Sequence, residues 1–300
     1  MAHLRQYLAQ QIWKKKEAFL RGTCLNSHEY NMKWGEERER LYKFFGPLRS
    51  SPNETQRLEA LRDSYKGQRI FIIGNGPSLN KIAIEKLEKE WTFGVNRVYL
   101  LFEHIKWRPS FYTITDWRVA PDIANEVNSL AGMTFFFPER FRGLLRNGPD
   151  VYWYWKHKGM AAGSNVALSK RFAYNIHTGA RSGGSVLVTA VQIAYHLGFD
   201  PIYLIGADLD YTVPRSVKQS GPLVDGIGLY LESTQDDDQN HFDPRYFGEN
   251  RRWRAPNITE MIKGFENCRD ALEFTNRNIY NATDGGRLEV FKRVDFQELF

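Results

Sequence analysis

The segment GNGPSL, residues 74–79, places two glycines, an asparagine and a serine directly after an apolar run. Gly74 and Gly76 permit a ligand to approach the backbone closely. Pro77 suits the first position of a helix, and Ser78 offers a hydroxyl beside the free amide groups of that helix start. Such amide groups bind anions, so the turn is typical of a site for a nucleotide phosphate or ribose.

Two common nucleotide-binding motifs do not fit this turn. A dinucleotide fingerprint needs a third small residue, where the sequence has Leu79, and an acid at the end of the next strand, where it has Asn96. A P-loop needs a lysine that the turn lacks. NAD and ATP bound by a P-loop are therefore disfavoured, and a purely structural tight turn is the alternative interpretation.

A second glycine-rich segment, residues 181–185, precedes a long apolar helix. Ser182 and the two glycines after it, Gly183 and Gly184, would leave free amide groups at the helix start. Arg181 adds a positive charge beside them. The alternative is a capped helix whose glycines permit close packing, but two glycine-rich helix starts in one sheet favour anion binding.

An aspartate stands at the end of another apolar run, in GADLDY, residues 206–211. Burial of Asp208 there is costly unless the carboxylate meets a ligand, a metal ion or a helix N-terminus. Asp208 and its neighbour Leu209 are therefore candidate contacts to a nucleotide.

Apolar strand-like runs alternate with helical segments from residue 66 onwards. This alternation predicts βαβ crossovers, and hence a Rossmann-like α/β fold with a mostly parallel sheet flanked by helices. The predicted strands are residues 69–74, 91–95, 110–115, 133–137, 151–155 and 201–206. The predicted helices are residues 78–90, 120–130, 182–198 and about 257–277, followed by a strand, a turn and a strand in residues 278–296.

Two regions flank or interrupt this domain. Residues 1–65 form a predicted helical extension, because Leu4, Leu8 and Ile12 recur near helical spacing. The α/β domain then spans residues 66–300. Its long polar stretch, residues 212–256, is typical of an active-site lid or a disordered segment, and we expect a lid.

The composition predicts a globular, cytoplasmic protein. A net charge of +6, from 41 basic and 35 acidic residues spread along the chain, suits an anionic ligand or surface better than nucleic acid. Two distant cysteines are too few for a disulfide framework or a zinc site. No apolar stretch reaches the roughly 20 residues of a membrane span, and the N-terminus lacks a signal-peptide pattern.

The basic segment WKKK, residues 13–16, lies beside Phe19 and Leu20 in the predicted extension. Two interpretations stay open: peripheral docking on the inner face of a membrane, and packing on the core or on a second copy of the chain. The narrow apolar side of the helix favours packing.

Taken together, the motifs resemble a known family. GNGPSL after a strand, Asn96 after the next strand, SGGSVLVTAVQIAYHLG before PIYLIGADLDY, and His241 in a later loop are similar to the bacterial CMP-sialic acid-dependent sialyltransferases that build lipooligosaccharide. They resemble even more the family described as 6-hydroxymethylpterin diphosphokinase MptE-like, which includes motility-associated flagellin glycosylation factors. That resemblance covers about residues 66–300, including NATDGG, and implies a GT-A-type variant of the Rossmann-like fold.

The resemblance to the sialyltransferases implies roles for particular residues. Asn75, Ser78 and Asn96 match residues that contact the cytidine nucleotide in that family. The family's Thr-Ser-Gly at the start of the long helix corresponds to residues 181–183, so an arginine replaces the threonine. The family's third-strand asparagine has no clean match, and Asp116 stands nearby, as in the MptE-like relatives.

The same resemblance implies a base and contacts to a leaving phosphate. His241, which lies in the predicted lid beside an acidic run, is the candidate base. Tyr211 and Tyr246 are candidates for stabilising the phosphate, and Arg181 can add positive charge.

Three functions are open at this point. The first is a glycosyltransferase without metal or cofactor, which moves a sugar of the nonulosonic acid type from a CMP-activated donor to a glycan acceptor. The second is a Mg²⁺-dependent pyrophosphokinase, in which Asp116, Asp208, Asp210 and residues 236–238 would hold Mg²⁺ between ATP phosphates. The third is a nucleotide-sugar-binding protein without catalysis.

Overall fold

The computed structural model describes residues 52–117, 119–157, 166–219 and 230–300, together with Ile12, Lys15 and Phe19. Those three isolated residues are helical, and Phe19 is exposed. The rest of the predicted extension before residue 52 lies outside the described residues. Its docking on the core, on a membrane or on a second copy therefore stays a prediction.

The described residues contain eleven strands in two sheets. The strands are β1 (Ile70–Ile73), β2 (Trp91–Val95), β3 (Phe111–Thr113), β4 (Thr134–Pro138), β5 (Val151–Tyr154), β6 (Ile202–Ile205), β7 (Lys218–Gln219), β8 (Tyr230–Glu232), β9 (Arg252–Arg254), β10 (Ile279–Asn281) and β11 (Lys292–Arg293). The large sheet has eight strands in the order β11-β10-β6-β1-β2-β3-β4-β5, and every pairing in it is parallel. The predicted parallel α/β fold is confirmed, since β1 and β6 are buried at every position, as a sheet covered on both faces requires.

The strand order reverses between β1 and β6. From β1 the chain adds β2 to β5 on one side and then returns to place β6, β10 and β11 on the other. Ile73 pairs with Ile205 across this reversal, so the residues that follow both strands emerge side by side. Ligands of doubly wound sheets bind at such a reversal, at the carboxyl ends of the strands.

Helices cover both faces of the sheet. From residue 52 onwards, the described α-helices are α1 (Pro52–Ala60), α2 (Val119–Asp122), α3 (Ala124–Ser129), α4 (Leu168–Arg171), α5 (Val186–Leu197) and α6 (Ile258–Phe274). Helices α5 and α6 pack on the face that carries Ile70, Ile72 and Phe93, while Phe71 and Ile73 point into a second core on the other face. No described helix is long and apolar enough to cross a membrane.

The predicted helix at residues 78–90 is a pair of 3-10 helices, Pro77–Lys81 and Ile84–Lys89. Ile82 between them is extended. Ile84 and Leu87 are both buried, and side chains three residues apart lie on one side of a 3-10 helix. A single α-helix is therefore the wrong prediction for this segment.

Two glycines fix the position of α6 against the chain that leads into α5. A Cβ added at Gly264 would lie 2.1 Å from the carbonyl oxygen of Gly183. A Cβ at Gly184, whose φ is +71°, would lie 2.8 Å from the amide nitrogen of Met261. Helix α6 crosses so close to the start of α5 that no larger side chain fits at either contact.

The polar stretch at residues 212–256 contains the small antiparallel sheet β7-β8-β9, and residues 220–229 within it lie outside the described residues. Beyond β8, residues 238–247 fold onto the carboxyl edge of the large sheet. Arg97, buried just after β2, donates to the carbonyl oxygen of Arg245 at 2.7 Å and also to that of Tyr246. This segment therefore covers the sheet edge, and its ordering by a ligand stays a prediction.

Candidate functional site

An open cavity lies at the reversal of strand order on the carboxyl edge of the sheet, with about 540 Å³ of empty space that includes part of the solvent at its mouth. The ends of β1, β2 and β6, the start of α5, the first turns of α6 and the segment 238–247 form its wall. The residues predicted from the sequence that line it are Gly74, Asn75, Gly76, Asn96, Asp208, Leu209, Asp210, Tyr211, His241 and Tyr246.

The two glycines of the first turn have no room for a Cβ, because the chain at the end of β6 lies against both of them. A Cβ at Gly74 would lie 2.2 Å from the carbonyl oxygen of Gly206, and one at Gly76 would lie 1.8 Å from Oδ2 of Asp208. The amide of Gly76 donates to the carbonyl of Gly206 at 2.9 Å. The turn after β1 is thereby fastened to the end of β6.

Asp208 is held against the same turn by Ser78. The Ser78 hydroxyl donates to Asp208 Oδ2 at 2.7 Å, and the Ser78 amide donates to Oδ1 at 3.2 Å. Burial raises the pKa of Asp208, and the two hydrogen bonds from Ser78 oppose that rise. Ser78 itself does not line the cavity. A carboxylate therefore occupies the helix start, where it favours hydrogen-bond donors over a phosphate.

Two asparagine side chains beside the cavity have unpaired carboxamide oxygens. Asn75 donates through Nδ2 to the carbonyl of Val95 at 3.1 Å and to the hydroxyl of Tyr246 at 3.3 Å. Asn96, at a φ of +48°, follows β2 directly. The Oδ1 atoms of both asparagines are buried without a hydrogen-bond partner. A buried acceptor without a donor costs about 1–3 kcal/mol, so a ligand group that donates to these oxygens removes that penalty.

His241 stands at the cavity wall in a closely determined orientation. Its ring stacks on Tyr246, with centroids 3.7 Å apart and planes 6° from parallel, and it meets Phe247 edge-on at 5.1 Å. Its Nδ1 lies 2.7 Å from Oδ2 of Asp238. The imidazole is thus held on two sides by rings and at one nitrogen by a carboxylate.

The two tyrosines predicted to contact a phosphate have different surroundings. Burial, with the charges of Asp238 and Asp208, raises the pKa of Tyr211 to about 12. Burial also raises the pKa of Tyr246. Both hydroxyls stay protonated at neutral pH and can donate to an anion. The ring of Tyr246, in addition, supports the imidazole.

The start of α5 borders the cavity through residues 185–187, which are not the predicted contacts. Ser185 caps the helix by accepting from the amide of Leu187 at 3.2 Å, and residues 185–187 line the cavity. Ser182, Gly183 and Gly184, the predicted contacts, lie outside the lining. The close approach of α6 accounts for both glycines.

Arg181 and Asp116 also lie outside the cavity wall. The Arg181 amide donates to Oε1 of Gln192 at 2.8 Å, and burial lowers the pKa of the Arg181 guanidinium, whose Nε has no hydrogen-bond partner. Asp116 follows β3, which is two strands away from β1 in the sheet. The structure therefore does not bring these two residues together with His241.

The sequence matches one family model. That model, described as 6-hydroxymethylpterin diphosphokinase MptE-like, covers residues 48–214, which is more than half of the chain. The chain belongs to the MptE-like family. The match includes the glycine turns and the GADLDY strand end, and it stops before His241. No curated protein matches the sequence.

Two solved structures can be aligned with this MptE-like protein. The first, the MAf glycosyltransferase from Magnetospirillum magneticum AMB-1, has 15% identity and a TM-score of 0.45 over 97% of this chain and 48% of that chain. The MptE-like chain thus spans about half the length of that structure. The second, a mammalian sialyltransferase in complex with Gal-beta-1-3GalNAc-ortho-nitrophenol, has 10% identity and a TM-score of 0.35 over 89% of each chain. At these values neither likeness carries an inference about chemistry.

Three consecutive aspartates of the MptE-like protein, residues 236–238, have separate partners. Asp236 accepts from a backbone amide at 2.8 Å, and Asp237 accepts from the Ser216 hydroxyl at 2.6 Å. Asp238 instead contacts His241. Among the residues that the structure describes, no group of three or more His, Cys, Asp and Glu side chains is arranged to hold a metal ion.

Proposed function

We propose that this protein is a metal-independent glycosyltransferase, which moves a sugar of the nonulosonic acid type from a CMP-activated donor to a hydroxyl group of a glycan or glycoconjugate. The observation that carries the proposal is the position of His241, fixed at the wall of the same cavity that Asn75 and Asn96 line. The sequence resemblance to CMP-sialic acid-dependent sialyltransferases supports the class of donor.

The nucleoside end of the donor fits the β1 and β6 side of the cavity. Asp208 and the carboxamide oxygens of Asn75 and Asn96 are hydrogen-bond acceptors, whereas ribose hydroxyls and the cytosine amino group are donors. The phosphate then fits at the N-terminus of α5, where residues 185–187 line the cavity and free helix amides favour an anion.

The proposed transfer is a displacement at the anomeric carbon of the donor sugar. The acceptor hydroxyl oxygen bonds to that carbon as the bond from the carbon to the phosphate oxygen breaks. Nε2 of His241 takes the hydroxyl proton, and CMP leaves with the bonding electron pair. The Tyr211 hydroxyl and the start of α5 stabilise the charge on the phosphate, which is why no metal ion is needed in this scheme.

The family description favours a second candidate, a Mg²⁺-dependent pyrophosphokinase acting on a hydroxymethylpterin. Its metal would need several of the aspartates to converge. Asp210 instead pairs with Arg287 at 3.2 Å, Asp116 lies outside the cavity wall, and residues 236–238 each have a different partner. Because these aspartates do not converge, the pyrophosphokinase is less favoured than the glycosyltransferase.

A ligand panel separates the two candidates. CMP, UDP, GDP and ATP are each added with and without Mg²⁺, and the melting temperature is measured, because a ligand that binds the native state raises it. The transferase predicts the largest rise with CMP, independent of Mg²⁺. The largest rise with ATP and Mg²⁺ would instead support the pyrophosphokinase.

The variant His241→Ala tests the chemistry. Loss of a general base costs about 10²–10⁴-fold, so turnover of a CMP-linked nonulosonic acid should fall by at least about 100-fold while the Kd for CMP stays within about threefold. His104→Ala, at an exposed histidine away from the cavity, is the matched control and should stay active. Wild-type activity should survive EDTA. An active His241→Ala variant, or activity abolished by EDTA, contradicts the proposal, and CMP binding without any turnover supports a non-catalytic binding protein.

A further inference from the structure

Asp238 is the member of the aspartate run that contacts the cavity histidine. Its Oδ2 lies 2.7 Å from Nδ1 of His241, whereas Asp236 and Asp237 bond to a backbone amide and to Ser216. The three carboxylates share one loop, yet a single one of them reaches the imidazole.

Backbone amides hold Asp238 in place. Its side chain is 2% exposed, its Oδ1 accepts from the amide of Asn240 at 2.8 Å, and its Oδ2 accepts from the amide of Phe247 at 3.1 Å. Burial raises the pKa of Asp238, but the hydrogen bond and charge of His241, with the two amide bonds, outweigh burial and hold the pKa below its usual value. Asp238 is therefore ionised at neutral pH.

The imidazole of His241 is constrained in its plane and in its rotation. Stacking on Tyr246 sets the plane, and the edge-on contact with Phe247 and the bond to Asp238 set the rotation. An ionised carboxylate only accepts hydrogen bonds, so Nδ1 must carry the proton and donate it to Asp238. In the neutral ring, Nε2 is then the nitrogen with a free lone pair.

We infer that Asp238 is the positioning residue of the His241 base: it selects the tautomer protonated at Nδ1, aims Nε2 at the acceptor hydroxyl and stabilises the imidazolium that forms. The inference rests on the proposed function. In the transfer, the acceptor proton moves to Nε2, Nδ1 keeps its own proton, and Asp238 stays ionised throughout.

The aspartate run supplies matched controls for a kinetic test. Asp238→Asn keeps the shape of the side chain and one acceptor oxygen but removes the charge that fixes the tautomer. We expect kcat to fall by about 100-fold or more, with the donor KM and the CMP Kd within about threefold of wild type. Asp236→Asn and Asp237→Asn remove the same charge from the same loop and should keep kcat within about threefold.

A spectroscopic measurement on the unaltered protein guards against a variant that fails to fold. In ¹⁵N NMR of imidazole-labelled protein, the neutral His241 ring should show a protonated Nδ1 and an unprotonated Nε2, with the signal assigned by its loss in His241→Ala. In Asp238→Asn the ring should shift toward the tautomer protonated at Nε2. A purely structural role for Asp238 would not change the tautomer.

The outcomes separate the two levels of the proposal. An inactive His241→Ala with an unimpaired Asp238→Asn overturns the positioning role and leaves the transferase standing. An Nε2-protonated ring in the wild type also overturns the positioning role. Equal loss of activity in all three aspartate variants points to a metal site and overturns it as well, whereas an active His241→Ala overturns the proposed function itself.

Discussion

The hydroxyl of Ser78 donates a 2.7 Å hydrogen bond to Oδ2 of Asp208, and this contact fills the helix start after β1 with a carboxylate. The same turn has the glycine pattern of an anion site, yet its negative charge comes from the protein itself. A phosphate placed there would meet a like charge in a partly buried position. We expect this contact to direct the phosphate of the proposed nucleotide away from the β1 turn.

Asp208→Asn tests which end of the cavity holds the phosphate. Asparagine keeps an acceptor for Ser78 and removes the charge. If the phosphate lies near α5, the substitution should therefore change its contribution to affinity only slightly. We expect the ratio of CMP to cytidine affinity, measured by calorimetry, to change by less than about twofold. A phosphate at the β1 turn would instead bind about tenfold tighter relative to cytidine in the variant, because a nearby repulsion is gone.

Asn96 allows its side chain to be tested separately from its backbone, because its φ of +48° suits glycine and strains alanine. Both Asn96→Gly and Asn96→Ala remove the unpaired oxygen, so both should lose about tenfold in CMP affinity. The alanine variant should in addition be less stable than the glycine variant by about 1 kcal/mol in urea denaturation. Unchanged CMP affinity in the glycine variant would remove Asn96 from the nucleotide site.

The contact between Gly264 and Gly183 predicts a stability effect. In Gly264→Ala the new Cβ would fall 2.1 Å from a backbone oxygen, so α6 must move away from the start of α5. We expect a loss of about 1–3 kcal/mol in the free energy of unfolding, with weaker CMP binding because Met261 and Phe265 line the cavity. Lys263→Ala, exposed on the same helix, should stay within about 0.5 kcal/mol.

The low pKa of Asp238 predicts how stability depends on pH. Burial acts to raise it and the bonds from His241, Asn240 and Phe247 lower it overall, so folding favours the ionised form. The stabilisation is fully present above the unfolded-state pKa of about 4 and is lost as pH falls through the lower folded-state pKa. The difference in unfolding free energy between wild type and Asp238→Asn should therefore shrink between about pH 5 and pH 2 in a series of urea titrations. A difference that stays constant over this range would contradict a lowered pKa for Asp238.

Much of the fold follows from the sequence because a parallel sheet covered on both faces needs continuous apolar strands. Each predicted strand is present, with β2 in full and the others displaced or shortened by a residue or two at their ends. Helical spacing is a weaker guide in short segments. Residues 78–90 have the apolar pattern of a helix, but the extended Ile82 divides them into two 3-10 helices.

The site was harder to predict, since one residue pattern serves two physical purposes. Glycines at 183 and 184 suit an anion-binding helix start and also a close helix crossing, and the structure uses them for the crossing. Asn75, Asn96 and His241 do line one cavity, while their contact with a nucleotide stays a prediction. The bond between Asp238 and His241 depends on the loop conformation, which spacing in sequence does not determine.

Arg97 follows Asn96 directly and donates to the carbonyl oxygens of Arg245 and Tyr246. Asn96 thus borders the candidate cavity, and Arg97 anchors the segment that carries His241. We expect a shift of the β2 end to reach the His241–Tyr246 ring stack through the Arg97 side chain and its hydrogen bonds to residues 245 and 246. Under the proposed function, we therefore expect donor binding and the alignment of His241 to be coupled through Arg97.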